Sequence, residues 1–241
     1  MIDSKKWLEE GRKMEKINNV RQDIESLLHE IHSERIQIQT IRKNEYGIPT
    51  HLSIELKKND ISKIKTQPYQ PISNLRINLF LELRKLNRST EICPDKTYLK
   101  HIKVRIELTN NDGKIKYFSF RIDSHDFTKS KETTFPHPLW HIQFNDRDLL
   151  LEDEKYGDIF FPDTPRFAHY PVDIVLAVDF ILSHFIPEIW FSLREKKHHY
   201  KGVIRKYQNY YLKNYFEKIY KYWNGEKKDK DEAKKLVPHL L

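Results

Sequence analysis

The chain is poor in cysteine and in glycine. Of its 241 residues, one is cysteine, Cys93, and six are glycine. A single cysteine excludes an intrachain disulfide framework and a zinc site built from cysteines, and it fits a reducing cytoplasm. The glycines form no Walker A loop and no G-x-G-x-x-G loop, so enzymes that hold nucleotides in such loops are disfavoured. We expect no cofactor and no bound metal.

The sequence also lacks a hydrophobic run long enough to cross a membrane. The longest apolar stretch, residues 174–186, is interrupted by Asp179, Ser183 and His184. It is shorter and more polar than the roughly 20 residues that span a bilayer. The N-terminal sequence MIDSKKWLEEGRK contains no apolar core of signal-peptide length. We therefore expect a cytoplasmic protein that makes no contact with a membrane.

Charged and aromatic residues are abundant by contrast. Lys and Arg number 43 against 35 Asp and Glu, which gives a net charge of +8, and aromatic residues make up 12% of the chain. An apolar fraction of 38% is enough to bury a core, so we expect a globular protein. The positive charge favours attraction to RNA or DNA. In the alternative, a Lys- and Ile-rich composition reflects an AT-rich genome, and no nucleic acid is bound.

Apolar residues near the N-terminus recur every seven positions. No proline precedes residue 49, so the pattern predicts one long helix over residues 3–43, within a helical arm of residues 1–46. The apolar seam has two interpretations: the helix lies on its own domain, or it binds a protein partner, with a homodimer as one version. The repeat consists of Ile17, Ile24, Ile31 and Ile38, with Val20, Leu27 and Ile41 at intermediate positions.

From residue 48 onward the period changes to two. Apolar and polar residues alternate in short segments, which places the apolar side chains of each segment on one face of a strand. Asp112-Gly113 between two segments predicts a tight hairpin turn, because glycine readily adopts a positive φ. The predicted strands cover residues 48–56, 75–84, 101–108, 115–122, 139–144 and 159–161.

The C-terminal part predicts three helices. Proline suits the first position of a helix, which favours helices that begin at Pro171 and Pro187. The first of them is apolar nearly all round, as a central buried helix would be. Strands followed by helices indicate an α+β fold, with an antiparallel sheet of five or six strands and the three helices packed on it. The helices are predicted at 171–185, 187–197 and 198–223, and the domain covers 47–241 with its sheet at about 48–161.

Histidine, aspartate and arginine are concentrated between the last predicted strands and the central helix. Three histidines and two carboxylates would be enough ligands for zinc or manganese. However, His137 and His141 on one strand would be about 13 Å apart, which argues against a shared metal. The residues of this group are His137, His141, Asp163, Arg166, His169 and Asp173.

The same residues also fit a metal-free site. A pair of histidines can carry a proton to and from a ribose hydroxyl while an arginine binds the phosphate. In this hypothesis the chain is a ribonuclease-type toxin, with His141 and His169 as acid and base and Arg166 as the phosphate ligand. The other three residues of the group would contribute to binding. In the alternative, these side chains cap the buried helix and bind backbone carbonyls.

The C-terminal helix combines basic residues with tyrosines. Lys and Arg can bind phosphates, and Tyr can stack on bases, so one side of the helix could follow a nucleic-acid strand. The candidate contacts are Arg205, Lys206, Tyr207 and Tyr211. In the alternative, the aromatic residues are the buried side of an amphipathic helix.

Three segments resemble an uncharacterised bacterial family of unknown function. They read HPLWHIQF, PDTPRFAHYPVD and VLAVDFILSHF and lie within residues 136–190. The resemblance implies a neighbourhood of phage-defence genes or mobile elements and carries no known activity. The leading hypothesis is an accessory or effector subunit of a bacterial, phage-defence-like complex, which binds a protein partner through the N-terminal helix and, in one version, RNA or DNA. The ribonuclease is the alternative, so whether the chain is an enzyme is left open.

Overall fold

The computed structural model describes most of the chain. One helix is followed by an antiparallel sheet and then by helices, which confirms the α+β class. The described residues are 15–33, 35–56, 72–84, 91–92, 98–113, 115–124, 138–144, 167–225, 233–234 and 236–237.

The elements are numbered here in chain order. The strands are β1 (Glu15–Lys16), β2 (Ile36–Lys43), β3 (Pro49–Leu56), β4 (Ile72–Leu83), β5 (Glu91–Ile92), β6 (Leu99–Asn110), β7 (Ile115–Ser124), β8 (Trp140–Phe144) and β9 (Phe167–Ala168). The helices are α1 (Ile17–Ile31), α2 (Ile174–Phe185), α3 (Pro187–Lys196), α4 (His198–Tyr207) and α5 (Lys213–Trp223), and a π-helical segment, Gln208–Leu212, joins the last two.

Seven strands form one antiparallel sheet in the order β2-β3-β4-β6-β7-β8-β9, and β1 pairs with β5 separately. Alternation along each strand gives the sheet one apolar and one polar face. On the apolar face, Leu79 of β4 and Val104 of β6 are buried. The same face packs on α2, where the rings of Phe120 and Phe180 are 6.1 Å apart. The polar face is therefore the side of the sheet opposite α2.

The predicted hairpin is confirmed. β6 and β7 pair in register, and the connecting turn is closed by the Gly113 amide, which donates to the Asn110 carbonyl oxygen at 3.0 Å. Gly113 has a φ of +77°, a conformation that other residues adopt only with strain. The Asp-Gly signal thus located the turn correctly.

The central helix α2 is buried almost throughout, as its apolar composition predicts. It begins after Asp173, which is its N-cap, and not at Pro171 as expected. The carboxylate of Asp179 lies between three helices, because it accepts hydrogen bonds from Trp190 Nε1 of α3 at 2.8 Å and from the Tyr200 hydroxyl of α4 at 2.7 Å. These bonds fix α2, α3 and α4 relative to one another.

The prediction of one helix over residues 3–43 is wrong for residues 36–43. Helix α1 ends at Ile31, and β2 pairs with β3 along its length. Ile36 and Ile38 are buried with a polar residue between them, so the period in this segment is two. The predicted residues 3–14 lie outside the described part of the chain.

The apolar seam of the N-terminal helix faces the protein's own core. Ile17, Ile24 and Ile31 of α1 are at most 3% exposed, and Ile38 of β2 is 9% exposed. They belong to the same hydrophobic core as α2 and the sheet. The expected partner-binding seam is therefore wrong for these four isoleucines, because burial within the chain leaves them no surface for a partner.

Two further findings concern the region before α2. No strand was predicted between residue 161 and the central helix, yet Phe167–Ala168 forms the short strand β9 beside β8. The strand expected at residues 159–161 lies outside the described part of the chain.

Among the helices that are described, none is long and apolar enough to span a membrane.

Candidate functional site

His141 and His169, the predicted acid–base pair, lie on opposite faces of the sheet. His141 is buried in β8, and its register partners are Asp123 and Ala168, so its side chain is on the polar face. His169 follows Ala168, and its ring packs against Phe180 of α2 at a centroid distance of 5.6 Å. The expected convergence of the two imidazoles is therefore wrong, because successive residues of an extended chain point to opposite faces.

Asp173 and His169 have structural contacts at the start of α2. Asp173 Oδ1 accepts from the Leu176 amide at 2.9 Å, and Oδ2 accepts from the Tyr98 hydroxyl at 3.3 Å. Burial raises the pKa of Asp173 to about 7. His169 Nδ1 lies 2.7 Å from the Tyr170 carbonyl oxygen, and burial lowers the pKa of this histidine. These contacts match the alternative in which the side chains cap the buried helix and bind backbone carbonyls. His137, Asp163 and Arg166 lie outside the described residues.

His141 belongs instead to a line of acidic and imidazole side chains that crosses four neighbouring strands. Glu82 of β4 is paired with His101 of β6, His101 with Asp123 of β7, and Asp123 with His141 of β8. Paired residues of antiparallel strands share a face, so the four side chains lie side by side on the polar face. We call these four residues the acid–base row.

The row consists of two acid–imidazole pairs. Glu82 Oε2 is 3.3 Å from His101 Nε2, and Asp123 Oδ2 is 3.4 Å from His141 Nε2. Burial lowers the pKa of His101, although the charges of Glu82 and Asp123 act in the opposite direction. Burial alone would raise the pKa of Asp123, but the neighbouring His141 and the charge of Arg121 hold it below its ordinary value. At neutral pH the row therefore combines carboxylates with a neutral His101.

One end of the row is accessible and the other is closed. The side chains of Glu82 and His101 are 47% and 26% exposed, whereas those of Asp123 and His141 are 11% and 1% exposed. A molecule bound on the polar face can thus reach the Glu82–His101 pair, while the Asp123–His141 pair beside it is closed to solvent. In the described ranges, no group of three or more His, Cys, Asp or Glu side chains is arranged to bind a metal ion.

Two cations lie next to the row on the same face. Lys103 of β6 and Arg121 of β7 are paired, two positions along their strands from His101 and Asp123, or about 7 Å away. Arg121 Nε donates to Asp123 at 2.8 Å, and Arg121 Nη2 lies 3.5 Å from Gln143 Oε1. The buried acid–imidazole pair therefore also fixes the position of the guanidinium group.

An aromatic side chain extends the line that Lys103 and Arg121 form across the strands. Phe80 of β4 is the register partner of Lys103, and its ring stacks on His51 of β3 with centroids 4.3 Å apart. Flat aromatic side chains on a sheet are a common support for unstacked RNA bases. The polar face thus places an acid–base pair, two cations and a stacking surface within two adjacent lines of residues.

Sequence reasoning missed Glu82, His101 and Asp123. Each is an ordinary polar residue of an alternating strand, and only the pairing of the strands brings them together. A usable signal exists for one pair: counting outward from the turn at Gly113 pairs His101 with Asp123. The pairing of β4 with β6 has no such local signal, because the two strands are not joined by a tight turn.

The residues predicted to bind nucleic acid on the C-terminal helix are only partly accessible. Tyr207 and Tyr211 are 3% and 1% exposed. Lys206 Nζ lies 2.8 Å from the carboxylate of Asp23, which also accepts from the Tyr207 hydroxyl at 3.0 Å, and these bonds tie α4 to α1. Arg205 is exposed. The two tyrosines are therefore core residues, as the amphipathic alternative predicts, and Arg205 is the candidate that faces solvent.

The outward side of the same helices carries a different set of residues. They lie three, four or seven positions apart, which is the spacing of residues on one side of a helix, and the π-helical segment lies in the middle of the set. Phe216, Tyr220 and Trp223 of this set are 54%, 67% and 70% exposed. We call the set the outer stripe; it consists of His198, Arg205, Asn209, Lys213, Phe216, Tyr220 and Trp223, all exposed.

Comparison with known proteins adds no assignment to either surface. No protein-family model, curated protein or solved structure matches the chain.

Proposed function

We propose that the protein is a nucleic-acid-binding accessory protein that holds single-stranded RNA or DNA on its outer stripe. The observation that carries the proposal is the exposure of Phe216, Tyr220 and Trp223 beside Lys213 on one side of α5. Large aromatic side chains normally avoid such exposure, and three of them together indicate a surface for a partner.

The charge of the chain favours a polyanionic partner. The net charge is +8, and the outer stripe contains Arg205 and Lys213 but no acidic residue. From Arg205 to Trp223 the helix rises roughly 27 Å, which is long enough for several nucleotides. A strand that follows the stripe would meet cations in its first half and aromatic rings in its second half.

Aromatic residues favour a single strand over a duplex. Bases can stack on exposed rings only when they are not stacked within a helix, and each such contact contributes about 1–3 kcal/mol. The lysine and arginine contacts add affinity that falls with salt and does not depend on sequence. The expected ligand is therefore a single strand of RNA or DNA, bound without a strong sequence preference.

Trp223 provides a direct test. Of the described tryptophans it is the most exposed, since Trp140 is 5% exposed and Trp190 is half-buried. A bound base should quench Trp223 fluorescence, and Trp223→Ala should weaken the affinity roughly 5- to 150-fold, as the loss of one stacking contact predicts. Phe191→Ala is the matched control, because Phe191 is a 56% exposed aromatic residue of α3 outside the stripe.

The charge contribution is measured separately. Arg205→Ala should reduce the slope of log Kd against log salt by about 0.7 if the side chain binds one phosphate of a single strand. Arg42→Ala, which removes an exposed arginine of β2, should leave the slope unchanged. The proposal fails if no oligonucleotide binds at low salt, or if the stripe variants and their controls lose affinity equally.

The resemblance of residues 136–190 to the uncharacterised bacterial family supports a place in a phage-defence-like complex. In that setting, expression of the chain should reduce phage plating, and a Phe216→Ala and Trp223→Ala double variant should lose this effect. The ribonuclease hypothesis based on His141, His169 and Arg166 is not retained, because the two imidazoles lie on opposite faces.

A further inference from the structure

We propose that the accessible end of the acid–base row is a second site, which cleaves RNA without a metal ion by transferring the phosphate to the neighbouring 2′-hydroxyl. His101 would act as the base, positioned by Glu82, and the phosphate would bind at Lys103 and Arg121. This activity goes beyond the binding proposed for the outer stripe, and it depends on a different surface of the molecule.

His101 has the geometry of a base that is held by a carboxylate. Its Nε2 lies 3.3 Å from Glu82 Oε2, which is an ion-pair contact, while Glu82 Oε1 accepts a hydrogen bond from Lys100 Nζ. The negative charge of Glu82 beside Nε2 favours the tautomer that carries its proton there and leaves the lone pair on Nδ1. The side chain is 26% exposed, enough for contact with a bound ribose. Burial lowers the pKa of His101, so the imidazole is neutral at neutral pH, as a base requires.

Arg121 is positioned as a phosphate ligand. Asp123 and Gln143 hold its guanidinium group through Nε and one terminal nitrogen, and the side chain is 37% exposed. A guanidinium group has five N–H donors, so donors remain for a phosphate after both contacts are made. The buried Asp123–His141 pair has a purpose in this arrangement, because it keeps Arg121 in place beneath the ligand.

Phe80 gives the site a preference for a nucleotide over a simple phosphate ester. The ring is partly exposed and is already stacked on His51 at 4.3 Å. It lies on the same face as Glu82, two positions earlier in β4, and beside Lys103 in the register. A base on Phe80 would therefore place its ribose near His101 and its phosphate near the two cations.

The reaction balances without any further reactant. His101 Nδ1 takes the proton of the 2′-hydroxyl, and the 2′-oxygen forms a bond to phosphorus. The bond from phosphorus to the 5′-oxygen breaks, and that oxygen takes a proton from water, while His101 later returns its proton to the solvent. The products are a 2′,3′-cyclic phosphate and a free 5′-hydroxyl. Lys103 and Arg121 offset the negative charge that develops on the phosphate oxygens.

The experiment uses the full chain with a short single-stranded RNA in the presence of EDTA, and DNA of the same sequence as the control. We expect cleavage of the RNA only, with the cyclic phosphate identified by mass spectrometry. His101→Ala should lower the rate about 10²- to 10⁴-fold, as expected for loss of a general base. His29→Ala, which removes an exposed imidazole of α1, should leave the rate unchanged.

A second variant separates the role of Glu82 from folding. Glu82→Gln keeps the shape of the side chain, and it should move the inflection of the pH–rate profile and lower the rate less than His101→Ala. The inference is overturned if wild-type protein in excess over RNA yields no cyclic phosphate. It is also overturned if EDTA abolishes the cleavage, or if DNA, which lacks the 2′-hydroxyl, is cleaved as well. The same holds if both variants cleave at the wild-type rate.

Failure of this inference is distinguishable from failure of the proposed function. An RNA dinucleotide is too short to follow the outer stripe, so its cleavage tests the row alone. Binding of a long strand without cleavage refutes the catalytic site and leaves the stripe intact. Cleavage of the dinucleotide without any binding of a long strand to the stripe refutes the proposed function and supports the row.

Discussion

Asp173 should make the stability of the protein depend on pH in a direction opposite to that of an ordinary carboxylate. The side chain has no exposed surface, and it caps α2 through the Leu176 amide. Burial raises its pKa from 3.8 to about 7. The folded state therefore binds the proton more tightly than the unfolded state does. The resulting stabilisation is complete below about pH 4 and is lost as the pH rises to 7.

The magnitude follows from the two pKa values. Between them, each pH unit changes the free energy of unfolding by about 1.4 kcal/mol, so this carboxyl accounts for a loss of about 2.5 kcal/mol between pH 5 and pH 8. Asparagine does not titrate and is an equally good N-cap. The difference in stability between Asp173→Asn and the wild type should thus move by about 2.5 kcal/mol in favour of the variant over this range.

Denaturant unfolding followed by circular dichroism at several pH values measures this difference. His101 and His169, whose pKa values are lowered by burial, destabilise the fold as the pH falls below 6.5, but they do so equally in both proteins and cancel. Asp173→Ala is the control for the cap, and it should be less stable than Asp173→Asn by about 1–3 kcal/mol at every pH, because neither of these two side chains titrates. A stability difference between wild type and Asp173→Asn that stays constant from pH 5 to pH 8 would refute the reasoning.

Two further predictions concern the core. Ile24→Asp should lower the free energy of unfolding by several kcal/mol, since Ile24 is fully buried. Gln22→Asp, at an exposed position of α1, should change it little. Equal melting temperatures for the two variants would contradict the placement of α1. Asp179→Ala should cost about 2–4 kcal/mol, because the indole and phenol groups that it accepts from lose their partner, and near-UV circular dichroism should report their loosened packing. An unchanged melting temperature would contradict that account.

Local signals predicted the parts of the fold that local physics controls. The β6–β7 hairpin followed from alternation on both sides of Asp112-Gly113, and α2 followed from a segment after a proline that is apolar nearly all round. The segment 36–43 was misassigned because isoleucines at 31 and 38 continue a spacing of seven, while those at 36 and 38 also fit a spacing of two. Pairing with β3 decides between the two periods, and a single sequence window does not contain that information.

Local sequence signals likewise identified only part of the candidate sites, and the rest depends on how the elements pack. The C-terminal helix was identified from its composition, but the side of it that faces solvent depends on what it packs against, so Tyr207 and Tyr211 proved buried and Phe216, Tyr220 and Trp223 exposed. The acid–base row depends on the register of four strands that are distant in the sequence. Periodicity assigns each side chain to a face of its strand, yet it does not say which residues of other strands lie beside it.

The arrangement of layers makes the two proposed surfaces independent. The apolar face of the sheet packs on α2, as the contact of Phe120 with Phe180 shows, so the acid–base row lies on the far side of the sheet from that helix. The outer stripe lies on α4 and α5, on the side that the core does not use. No residue belongs to both surfaces, and variants of one should therefore leave the other unchanged. A single strand of RNA that uses both must pass around an edge of the sheet, so a strand much longer than the stripe should be cleaved with a lower KM than the dinucleotide and with a similar kcat.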